Sequence, residues 1–99
     1  MTRPRLQDFK AYIGDAFDLR LPEDDASVDS LILTELVEHP PLPFGPHKGA
    51  DCFTLILSTN GNHAQGPYRL VRSDQKEFAL FCIPTMTEDM KPALQVIIN

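Results

Sequence analysis

Residues 66–84 read GPYRLVRSDQKEFALFCIP, two apolar runs around the polar knot Arg72–Gln75. Each run alternates. Tyr68 and Leu70 share one face of the first and Arg69 and Val71 the other, while Phe78, Leu80 and Cys82 share a face of the second. A period of two marks a strand, and two strands joined by a short polar turn make a hairpin over 67–72 and 77–84. Arg69 falls on the more exposed face, placed to pair across strands with Glu77 or Glu35. Tyr68-Arg69 therefore reads as a hairpin edge; no neighbouring residue completes a catalytic constellation.

The same period recurs on both sides. Phe17, Leu19 and Leu21 alternate with Asp18 and Arg20. Val28–Val37 continues with Leu31 and Leu33 inward, and its alternation breaks at Glu35-Leu36-Val37, where a bulge is expected. Phe53, Leu55 and Leu57 form a third strand, and Leu94, Val96 and Ile98 a last one before the chain stops at Asn99. Leu6, Phe9 and Ile13 instead recur at helical spacing, so 5–13 reads as a short helix, with Pro4 in its first turn and Gly14 at its left-handed end. Asn60-Gly61 has the composition of a tight turn. The expectation is an all-β fold: a small antiparallel six-stranded barrel or sandwich with one short N-terminal helix. Its expected shared interior is Phe17, Leu19, Leu31, Leu33, Phe53, Leu55, Leu57, Tyr68, Leu70, Phe78, Leu80 and Val96.

At 99 residues the chain is one all-β domain, 1–99, with a long Pro-rich loop over 38–52. A net charge of −5 with scattered Lys and Arg argues against a nucleic-acid partner. No apolar run is long enough for a signal peptide or a membrane span, so the expected setting is cytoplasmic, with no membrane partner. Cys52 and Cys82 then read as unbridged thiols, Cys82 in the core and Cys52 reactive.

The order of motifs resembles a known family. Phe9, Ile13, Gly14 and Phe17 form F-x-x-x-I-G-x-x-F, followed by Phe53 and Leu55 as F-x-L. Gln65, Gly66, Tyr68, Arg69 and Leu70 give Q-G-x-Y-R-L, and Glu77, Phe78, Leu80, Phe81 and Pro84 give E-F-x-L-F-x-x-P. This is similar to the DUF6916 type, small bacterial domains of unknown function. The family's Gly-rich turn after the Pro is replaced here by Thr85-Met86-Thr87-Glu88-Asp89. The resemblance implies an accessory or assembly role beside phage-tail-like proteins or in a surface assembly, rather than catalysis.

No residue set announces an enzyme, and no catalytic residue, metal ligand or cofactor is assigned. His39, His47 and Cys52 have a spacing that matches no common zinc pattern. Asp24, Asp25 and Asp29 lack the Gly and bidentate Glu of a calcium loop and read as a solvated turn. Cys52 with His47 or His63 lacks the electropositive setting a thiolate needs. Gly61 and Gly66 bracket a loop with no following lysine or helix to hold phosphate.

Two readings of function follow. In the first, the chain is a non-enzymatic interaction module that binds itself, as a homo-oligomer, or a larger protein. Pro41, Leu42, Pro43 and Phe44 in a stiff loop, together with Ile97 on a sheet edge left open, are its candidate contacts. The loop could equally fold back as a lid over the barrel. In the second, the chain is a small-molecule-binding barrel with weak hydrolase activity, its mouth lined by His47, His63 and Tyr68.

Overall fold

A computed structural model describes residues 4–46 and 48–98. One helix, α1 (Leu6–Ala11), precedes six strands: β1 (Ala16–Arg20), β2 (Ser27–His39), β3 (Cys52–Ser58), β4 (Gly66–Arg72), β5 (Glu77–Met86) and β6 (Pro92–Ile98). All pairings are antiparallel, and the sheet closes on itself in the order β1-β2-β3-β6-β5-β4. The expected hairpin is β4–β5, with Tyr68 opposite Leu80 and Leu70 opposite Phe78.

Closure depends on the two long strands, each of which changes partner along its length. Ser27–Ile32 of β2 pairs with β1 and Ile32–His39 with β3. Glu77–Cys82 of β5 pairs with β4 and Ile83–Met86 with β6. Strands that pass from one sheet to another in this way make the corners of a closed β structure. The register of β2 against β3 skips Thr34, between Leu33 opposite Leu57 and Glu35 opposite Ile56. That bulge comes just before the expected Glu35–Val37, and its bend falls where β2 changes partner. The expectation of an open edge is overturned, because every strand has ladder partners on both sides.

The interior is filled by side chains. Leu19, Leu31, Leu33, Phe53, Leu55 and Leu70 have no exposed surface, and the remaining expected core residues are buried or, for Phe78, half-buried against them. Two expectations on the alternation fail. Leu21 is exposed, because β1 ends at Arg20 and the chain has left the sheet. Val71 is buried although it was expected outward with Arg69. Asn60-Gly61 bends the chain within the loop between β3 and β4. β3 and β4 are not neighbours, so residues 59–65 cross between strands that lie apart in the sheet.

Helix α1 seals one end of the barrel. It is shorter than the expected 5–13, so Ile13 lies beyond it and is exposed, while Tyr12 is buried. The Phe9 ring lies 4.8 Å from that of Phe78, 5.8 Å from Phe53 and 5.5 Å from Tyr12. Gly14 takes φ +93°, the left-handed turn expected after the helix, and its N–H donates to Leu33 O at 2.8 Å. Arg72 stacks 3.6 Å over the Tyr12 ring and pairs with Asp15, pinning the plug from outside.

Candidate functional site

The end opposite α1 is closed by polar groups. Asp29, read from sequence as part of a solvated turn, lies on β2 opposite Leu19, in the inward series with Leu31 and Leu33. Its side chain is only 6% exposed. It accepts hydrogen bonds from Ser30 N–H (2.7 Å), Asn60 N–H (3.1 Å) and Asn60 Nδ2 (3.0 Å), and lies 2.6 Å from His63 Nε2. Burial pushes the Asp29 carboxyl up, but the bonds from His63, Asn60 and Ser30 outweigh it and hold it below its usual value. Beside this cluster Tyr68 donates its hydroxyl to Ala64 O at 2.6 Å. Loop 59–65 is thereby latched across the barrel mouth.

His63 and Tyr68, two of the candidate ligand groups, are thus gathered around one loop. His47 lies outside the described residues. Cys52 begins β3 and His63 lies in the loop after its other end, so the strand's length, about 20 Å, stands between them. Cys52, expected to react, is buried with its Sγ 3.7 Å from Ala50 O, because it begins β3 opposite His39 instead of lying in the loop. Burial pushes the Cys82 thiol up to about 12. Neither cysteine is bridged. Among the described residues no group of three or more His, Cys, Asp or Glu is arranged to hold a metal ion.

Arg69 works as a clamp on the β1–β2 loop. Its guanidinium donates to Leu21 O (3.2 Å), Asp24 O (3.0 Å), Asp25 Oδ1 (2.6 Å) and, across the hairpin, Glu77 Oε1. Asp25 is held below its usual value by the hydrogen bond and charge of Arg69. The clamp carries Pro22 toward the β4–β5 hairpin, where a groove of about 390 Å³ runs over Pro67, Tyr68, Arg69, Ala79, Leu80 and Phe81. A second groove, of about 400 Å³, lies between the β2 bulge (Thr34, Glu35) and the end of β5 with the start of the turn after it (Thr85–Asp89).

The candidate contact residues lie elsewhere. The loop between β2 and β3 covers 40–51, within the expected 38–52. It is braced by Gly49 N–H to Leu42 O (2.8 Å), Lys48 N–H to Gly45 O (3.1 Å) and Leu42 N–H to Ala50 O (3.3 Å). Leu42 is half-buried, Pro41 and Pro43 are exposed, and Phe44 is 79% exposed. Phe44 is therefore no lid; α1 fills that end of the barrel. Ile97 is 47% exposed on the outer face of β6, opposite Thr54 of β3 and beyond the Pro92–Gln95 stretch that pairs with β5.

These features define a small closed antiparallel barrel, sealed by an aromatic helix at one end and a polar latch at the other, with its concavities on the outside. The chain belongs to the family described as a domain of unknown function, DUF6916, whose model matches residues 4–98. No curated protein and no solved structure matches it.

Proposed function

We propose that this domain is a non-enzymatic interaction module that assembles with itself or with a larger protein through its outer surface. The observation that carries this reading is Phe44, 79% exposed on a loop braced by its own backbone. An aromatic side chain held out by stiff chain loses little entropy on docking, and such residues anchor interfaces. The filled interior supports the same reading, since it leaves function to the surface.

Light scattering over a concentration series, paired with capture of partners from the native host, tests it. Association that Phe44→Ser weakens is the expected result. A monomer at every concentration with no Phe44-dependent partner would overturn it. The groove of about 390 Å³ at Tyr68 and Phe81 favours the second reading, a small-molecule binder, which predicts ligand-induced thermal stabilisation lost in Phe81→Glu.

A further inference from the structure

Two features left over from the fold have complementary chemistry. The groove over Pro67 and Phe81, which face each other across the β4–β5 ladder, has the side of Tyr68 and the ring of Pro22 as further walls. Walls of aromatic rings and prolines suit an extended, proline-rich chain, which presents ridges without needing backbone hydrogen bonds. This chain carries a proline-rich segment itself: Pro40, Pro41 and Pro43 lead to Phe44, which stands out where the chain turns back at Gly45 (φ +91°).

Charge follows the same pairing. Glu23, Asp24 and Asp25 are exposed on the loop that supplies Pro22, and Glu77 lies beside Arg69, so carboxylates outnumber the guanidiniums of Arg69 and its strand neighbour Arg20 around the groove. The Pro-rich segment is followed by the exposed cation Lys48. In the ring β1-β2-β3-β6-β5-β4, the β2–β3 hairpin that bears the segment and the β4–β5 hairpin that bears the groove lie on opposite sides. A segment held across the barrel from its own groove can enter only the groove of another molecule.

We propose that Pro40–Pro46 of one copy docks in the Pro22–Pro67–Tyr68–Phe81 groove of a second, so that copies associate head to tail. This rests on the assembly reading above and names its contact. Because donor and acceptor surfaces differ, the contact is heterologous and each pair still leaves one groove and one loop unfilled, so the association propagates. One loop in one groove buries less than a standard interface, so association is weak and grows with concentration. Raised salt weakens it, since Lys48 faces carboxylates.

The test uses the whole chain and two variants at exposed positions, Phe44→Ser and Phe81→Glu, each first checked for a wild-type melting curve. Wild type should grow past the dimer as concentration rises, and each variant alone should stay at 11.1 kDa. Mixed, the two should form a one-to-one dimer and nothing larger, because the intact loop of one fills the intact groove of the other. A synthetic peptide of sequence HPPLPFGPHK, titrated into labelled wild-type protein, should shift the amide signals of Tyr68, Ala79 and Phe81 saturably, and a copy with its prolines replaced by alanine should not. Wild-type association that survives Phe81→Glu, with no peptide shift at the groove, overturns the contact while leaving the assembly reading intact. A wild-type monomer at millimolar concentration overturns this contact and self-assembly, excluding a second copy as occupant even if the peptide binds, and leaves the assembly reading to stand or fall on capture of a larger partner.

Discussion

Met90 adopts φ +64° in the β5–β6 turn, a conformation that costs a residue with a Cβ about 1–2 kcal/mol. Met90 is exposed, so its side chain contributes little to packing. Met90→Gly should therefore raise stability by about 0.5–1 kcal/mol after the added flexibility of the unfolded chain is offset. Chemical denaturation should show a higher midpoint with an unchanged slope. The outcome at Asp29 has the opposite sign. Asp29→Asn removes the charge and one of the two acceptor oxygens of a nearly buried cluster, setting an NH2 donor against other donors, and should cost about 1–3 kcal/mol at neutral pH. The folded carboxyl titrates below its ordinary 3.8, so its contribution is complete above that value and is lost as pH falls through the lower folded value. Melting curves between pH 5 and 2 should then fall less steeply for Asp29→Asn than for wild type.

At the scale of elements, α1 is too short to be stable alone, and it persists because Phe9 is 1% exposed among the rings of Tyr12, Phe53 and Phe78. Phe9→Ala should cost about 3–5 kcal/mol and open the plugged end. Proteolysis should then cut first within residues 4–14, while the β3 and β6 amides remain slow to exchange. Equal loss of protection across all six strands would mean the plug and the barrel unfold as one unit.

For the whole molecule, both thiols are inaccessible but in different places: Cys82 packs in the barrel core, while Cys52, at the start of β3, is covered beside the β2–β3 loop. A thiol reagent should label neither Cys52 nor Cys82 in the native protein at neutral pH, and both once the protein is unfolded in denaturant. Rapid native labelling of Cys52 alone would show that β2 and β3 fray at the His39–Cys52 pair.

Strand identity was legible wherever hydrophobic alternation is local: 66–84 declares its hairpin, and the expected core of the barrel can be read from period two alone. That signal also carried Asp29, which continues the inward series of Leu31 and Leu33. Its role was hidden because Asn60 and His63 are about thirty residues away in sequence and reach it only through a loop crossing between non-adjacent strands. Closure was likewise illegible, since whether β1 meets β4 depends on bends in β2 and β5 that sum along the chain. β6 reads as an edge strand until β5 is placed beside its residues Pro92–Gln95, and Phe44 reads as lid or contact until α1 fills the end it would have covered. Local periodicity determines which residues turn inward; the tertiary structure decides which strands become neighbours, because pairing depends on contacts that no short window of sequence contains.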